Sequence, residues 1–165
     1  MADGSVTTPL SDIELDSIQG KGYPIRDWLT SYPLLVVALD PYTHESAWIL
    51  ETAAAFLRHY TPADIRVGWL VAADDDDCRR FMGPLAEEFI TFADPDRTAI
   101  TALGVERLPA LVHVRNDLTV RVANGWDPDV WRGIAELLSV ELSWSRPMIP
   151  APGDPMPYSG TPAAG

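Results

Sequence analysis

Cysteine occurs once in these 165 residues, at Cys78, and lysine once, at Lys21. A single thiol excludes an internal disulfide and any zinc site built on cysteines. Cations are scarce as well: 12 Lys and Arg stand against 24 Asp and Glu, for a formal net charge of -12 at pH 7. Phosphate backbones and anionic membrane surfaces repel such a chain, so no nucleic acid or anionic lipid is expected among its partners. No apolar run is long enough to span a bilayer, and the opening MADGSVTTPLSDIELD is polar and acidic without an apolar h-region. A cytoplasmic protein with no membrane insertion is the expectation.

What is present belongs to a globular chain. Hydrophobic residues at 47% and charged residues at 22% supply one domain with a real core. Three regions are expected: an N-terminal arm over 1–22, mobile over residues 1–10, an α/β domain over 23–142, and a proline-rich tail over 143–165. Gly20, Gly22 and Pro24 punctuate the lead-in. Leu34 to Leu39, LLVVAL, is a continuous apolar run suited to a central strand, and Ile65 to Ala72 is a second. Between them, Ser46 to Tyr60 spaces Ile49, Leu50, Ala53, Phe56 and Leu57 as an amphipathic helix, so strand, helix, strand implies a right-handed parallel crossover. Four carboxylates, Asp74 to Asp77, precede a helix carrying Phe81, Leu85 and Phe89. They lack the alternate spacing of a calcium loop and suit a helix N-terminus, so no metal is expected there. Ile90 to Phe92 reads as a short strand, and Asp94-Pro95-Asp96 as the cap of the next helix.

The stretch from Ile100 to Gly125, ITALGVERLPALVHVRNDLTVRVANG, sets the organisation of the second half. A helix ends at Gly104, Ala110 to Val114 is an apolar strand, and Asn116-Asp117 turns the chain. Leu118 to Ala123 pairs back, and a helix over Asp127 to Leu138 carries Trp131, Ile134, Leu137 and Leu138 near one face. This order of helix, Gly-Val-x-x-x-Pro, hairpin, Gly and helix resembles the C-terminal half of the thioredoxin fold. The resemblance covers about Tyr32 to Leu138. It is nearest to members with an extra helix and strand in mid-domain, as in TlpA-like and peroxiredoxin-like proteins. It implies a three-layer α/β sandwich with parallel core strands, an antiparallel C-terminal hairpin, and a cis Leu108-Pro109 bond before a central strand.

The resemblance also places a site. Redox members carry Cys-x-x-Cys after the first central strand, where one thiolate attacks a disulfide and the second resolves the mixed intermediate. Here Thr43, His44, Glu45 and Ser46 occupy that turn, and a hydroxyl cannot perform the exchange. What the fold retains is the groove at Arg107, Leu108 and Pro109, where the backbone before the cis proline pairs with an extended peptide, with Pro41, Tyr42, Leu108 and Trp48 as an apolar floor. The expectation is a non-catalytic protein without cofactor or metal, acting as an assembly subunit or chaperone for a protein partner. A loose resemblance links it to the cysteine-free thioredoxin-like chaperones of nickel-iron hydrogenase maturation. The alternative is an enzyme: a thiol oxidoreductase using Cys78, or a hydrolase using His44, Glu45 and Asp40 around Ser46 or Thr43. His59 and His113 read as structural. The tail crowds six prolines into 143–165 and is expected to be an extended docking arm, mobile in the isolated protein, with Trp144, Met148, Ile149, Met156 and Tyr158 as anchors for a partner.

Overall fold

The computed structural model describes residues 8–20 and 22–165. Its centre is the apolar run at Leu34–Leu39 (β3), buried along its whole length. Alternate side chains leave opposite faces of a strand, and β3 accordingly feeds two cores. Leu35, Val37 and Leu39 join one, and Leu34, Val36 and Ala38 the other. Arg66–Val71 (β4) lies parallel to β3, Ala110–Val114 (β7) antiparallel on its other side, and Val120–Asn124 (β8) antiparallel to β7. Ile90–Ala93 (β5) continues the sheet, parallel to β4.

The lead-in forms two strands, Glu14–Ser17 (β1) and Gly22–Pro24 (β2), and β1 pairs antiparallel with β5 through Asp16↔Ala93 and Ser17↔Phe92. Part of the arm expected over 1–22, Glu14–Ser17 with Gly22, is therefore sheet, and Leu15 and Ile18 are buried. The β5 partner of β1 lies more than seventy residues downstream, which local pattern does not reveal. Residues 1–7, which make up most of the segment expected to be mobile, lie outside the described residues. The sheet order is β2-β1-β5-β4-β3-β7-β8.

Helices cover both faces and make this a three-layer sandwich of thioredoxin-like form. His44–Trp48 (α2) and Leu50–Tyr60 (α3) meet at Ile49, so the single helix expected from Ser46 starts earlier and is interrupted. Asp75–Met82 (α4) and Leu85–Glu88 (α5) are likewise separated, at Gly83-Pro84, where Gly83 takes φ +55 and Pro84 begins a new turn. Pro128–Leu142 (α7) meets α3 where Trp131 stands edge-on to Phe56, and its Trp131, Ile134 and Leu138 join the core that also holds Cys78 of α4 and Ala86 of α5. Leu137, expected inward, is 45% exposed. Ile25–Trp28 (α1) and Thr98–Ala102 (α6) cover the opposite face through Ile25 and Ile100. A second, two-stranded sheet pairs Arg107–Leu108 (β6) with Thr161–Pro162 (β9).

Candidate functional site

After Leu39 the chain leaves the sheet through a turn that hydrogen-bonds to itself. The Asp40 amide donates to Ser46 Oγ at 2.9 Å, and Thr43 Oγ1 donates to the Asp40 carbonyl at 3.0 Å. Asp40 is 5% exposed. Its carboxylate accepts from the Tyr42 amide at 3.0 Å and from Arg97 Nη2 at 2.7 Å. A buried carboxylate is tolerated when it is paired and hydrogen-bonded, and this one is both. Both hydroxyls of the Thr43–Ser46 stretch thus serve the turn's own backbone. Asp40 faces Arg97, and no hydrogen bond joins it to His44 among the described residues, so the His44, Glu45 and Asp40 constellation weighed for hydrolysis is not assembled.

Arg97 carries no signal in the sequence. It adopts φ +60 at the start of α6, while Asp94 upstream accepts from the Ala99 and Ile100 amides at 3.2 and 2.9 Å and caps that helix. The capping expected of the Asp94-Pro95-Asp96 segment is supplied by Asp94. Freed from capping, Arg97 reaches Asp40 on one side and donates to the Ala163 carbonyl at 2.7 Å on the other.

The Leu108-Pro109 peptide is cis, and the adjoining edge is held in place from β8. Asn124 Oδ1 accepts from the Glu106 and Arg107 amides at 2.9 and 3.0 Å, and the Gly125 amide donates to the Pro109 carbonyl at 2.7 Å. The edge that the thioredoxin resemblance assigns to an extended peptide is not open. It pairs with the chain's own tail in the register Arg107↔Pro162 and Leu108↔Thr161. Arg107 donates to the Ser159 carbonyl at 3.3 Å and to the Gly160 carbonyl, and the Ala163 amide donates to the Glu106 carbonyl at 3.0 Å. Leu108 is fully buried in the core, whereas Tyr42 and Trp48 are 66% and 57% exposed. Trp48 therefore does not point into the core. It stands edge-on to Tyr158 with ring centroids 5.5 Å apart, and the Tyr158 hydroxyl donates to the Glu45 carbonyl at 2.6 Å. Tyr42 donates its hydroxyl to Asp77, which together with partial desolvation and the carboxylate's charge pushes the phenol up to about 12.

The tail reaches this place along its own domain, where the expectation was an arm whose anchors dock on a partner. Trp144 Nε1 donates to the His59 carbonyl at 2.9 Å, and Arg132 Nε donates to the Ile149 carbonyl at 3.1 Å. Thr52 Oγ1 donates to Asp154 at 2.8 Å, and Trp126 Nε1 to the Pro155 carbonyl at 2.8 Å. Trp126 and Tyr158 then exchange backbone hydrogen bonds in an isolated antiparallel bridge. Of the expected anchors, Trp144, Ile149 and Tyr158 pack against the domain's own core, while Met148 and Met156 stay 72% and 83% exposed. The reason is a seam between α3 and α7. Phe56, Trp126 and Trp131 border it, and the tail covers it around a cavity of about 220 Å³.

Cys78 belongs elsewhere. It is fully buried in α4, and burial, followed by the charges of Asp75, Asp74 and Asp77, pushes its thiol up to about 12. The acidic run starts α4, where Asp74 accepts from the Asp77 amide at 2.9 Å. No group of three or more His, Cys, Asp or Glu is arranged to hold a metal among the described residues. His59 Nε2 lies 2.9 Å from the Ser145 carbonyl, and His113 is fully buried in β7.

No protein-family model matches the sequence, and no curated protein matches it significantly. Solved structures do match. A protein of Sinorhizobium meliloti 1021 superposes with a TM-score of 0.64 at 17% identity, over 98% of this chain and 96% of its own. A secreted Mycobacterium tuberculosis disulfide oxidoreductase gives 0.55 at 16% identity, over 70% of this chain and 84% of its own. The pneumococcal exposed lipoprotein thioredoxin of Streptococcus pneumoniae gives 0.58 at 15% identity, over 79% of this chain and 98% of its own. At these identities the likeness establishes the fold, and the fold is thioredoxin-like. Among the described residues no helix is long and apolar enough to cross a membrane.

Proposed function

We propose that this is a thioredoxin-fold protein without thiol-disulfide activity, which binds a protein partner as an assembly subunit or chaperone. The observation that carries the reading is the Thr43–Ser46 turn. In the turn that the thioredoxin resemblance assigns to a reactive thiol pair, this chain has two hydroxyls, and both are tied into the turn's backbone at 2.9 and 3.0 Å. The position and burial of Cys78 support the same reading, since a thiol held near 12 supplies almost no thiolate at neutral pH. The exposed aromatic pair Tyr42 and Trp48 beside the turn gives a partner something to bury. The loose resemblance to the hydrogenase-maturation chaperones makes a subunit of an assembling redox metalloenzyme one class of client.

The test is a disulfide-reduction assay with insulin, run on wild type and Cys78→Ser. Both should match buffer, and turnover by wild type that is lost in Cys78→Ser would overturn the reading. Cys78 should also resist alkylation in the native protein and react once denaturant unfolds it. Partner co-purification should fall for Trp48→Ala and Tyr42→Ala while their thermal unfolding stays close to that of wild type. Equal recovery with both variants would remove this face from the binding surface.

A further inference from the structure

The segment from Tyr158 to Ala163 lies across the candidate site as a bound strand lies in a receptor. We infer that it is a resident occupant of the Arg107–Leu108 groove, that the groove accepts extended segments of the pattern aromatic-x-Gly-x-x-Ala, and that a partner's segment enters only by displacing it. The inference rests on the partner-binding reading above and states how that binding is controlled.

Three positions define the pattern. Tyr158 sets the aromatic, with its ring edge-on to Trp48 and its hydroxyl on the Glu45 carbonyl at 2.6 Å. Gly160 sets the glycine, because it takes φ +81 and a Cβ there would stand 2.3 Å from the Leu108 carbonyl oxygen. No other residue approaches that edge without moving it. Ala163 sets the small residue, 4% exposed in the core that contains Leu103, Val105 and Leu108. Between them the contacts are to main chain. Arg107 holds the carbonyls of Ser159 and Gly160, and the Ala163 amide meets the Glu106 carbonyl at 3.0 Å. Such contacts read an extended backbone whatever chain it belongs to, which is how strand addition confers affinity without fixing every side chain. A tethered segment competes at high effective concentration, so the groove's apparent affinity for a free segment falls by the fraction of molecules in which the tail is seated.

The experiment uses the full chain and its Gly160→Ala variant. The probe is a fluorescein-labelled peptide, Pro-Tyr-Ser-Gly-Thr-Pro-Ala, with a second peptide carrying Ala for Gly. Seating of the tail is followed by hydrogen exchange at the Ala163 amide. Gly160→Ala should release that amide, bind the glycine peptide at least about tenfold more tightly than wild type does, and bind the alanine peptide no better than wild type does. Arg107→Ala added to Gly160→Ala should abolish the gain. Equal binding by wild type and Gly160→Ala would overturn the displacement while leaving a peptide-binding groove. Equal binding of the two peptides would overturn the pattern. Retained protection of Ala163 in the variant would overturn the glycine requirement. Release of the tail with no binding of either peptide would remove the groove as a peptide site, a failure separate from the insulin result.

Discussion

His113 is walled into β7, with Arg121 Nη1 at 3.3 Å from its Nδ1 and, among the described residues, no partner on Nε2. Burial outweighs the nearby Glu141 charge, Arg121 and Arg115 add to it, and the imidazole is lowered from 6.5 to about 4. The sign follows from which state takes the proton first. Above pH 6.5 both states are neutral and the histidine is without effect. Between 6.5 and about 4 the unfolded chain is protonated while the native one is not, so stability falls as pH falls through that window. The full loss is on the order of 3 kcal/mol. Denaturant unfolding at several values across the window should show a steeper decline for wild type than for His113→Leu. Parallel curves would mean that His113 is protonated in the native state as readily as in the unfolded one.

At the scale of elements, the tail behaves as part of the fold. Ending the chain at Leu142 would uncover Trp126 and Trp131 and remove the half-buried Trp144, Ile149 and Tyr158. Apolar burial stabilises at about 25 cal/mol per Å², so the loss is set by the area these five side chains give up, less the conformational entropy that the freed segment regains. Thermal unfolding should fall in consequence, by roughly 2–4 °C for each kcal/mol lost, whereas an idle appendage would leave it unchanged. The sequence shows the tail to be extended, because its prolines break helices and leave room for no ladder longer than the two-residue pairing at Thr161–Pro162, but its composition is silent on what it lies against. The same limit recurs elsewhere. Leu34 to Leu39 is readable as a central strand because every residue is apolar, and Thr43 to Ser46 is placed by counting on from it. The β7–β8 hairpin is readable too, although Leu118 takes φ +71 in the turn and delays β8 to Val120. The pairing of β1 with β5, Arg97 and the seat of Tyr158 depend on partners far along the chain: Arg97 lies 57 residues from Asp40, and Tyr158 lies 113 from Glu45. No local period encodes such distances. The single helix expected through Phe81, Leu85 and Phe89 is a different case, since the Gly83-Pro84 dipeptide that divides it is a break marked in the sequence itself.

For the molecule as a whole, the guanidinium of Arg97 joins two things that are separate in the chain. One branch holds the Asp40 carboxylate beneath the turn, and the other holds the Ala163 carbonyl at the end of the tail. Groups that share one ligand do not respond independently, and any free energy passed from the first to the second returns equally from the second to the first. A partner that lifts the tail therefore loosens the Asp40 turn. One that grips the turn, without touching the tail, seats the tail more firmly. A double cycle with Asp40→Asn and Gly160→Ala should give a non-additive term of about 1–2 kcal/mol in unfolding free energy, and strict additivity would show the two to be uncoupled. With that coupling, one arginine makes the turn and the groove a single thermodynamic unit, so occupancy at either is felt at both.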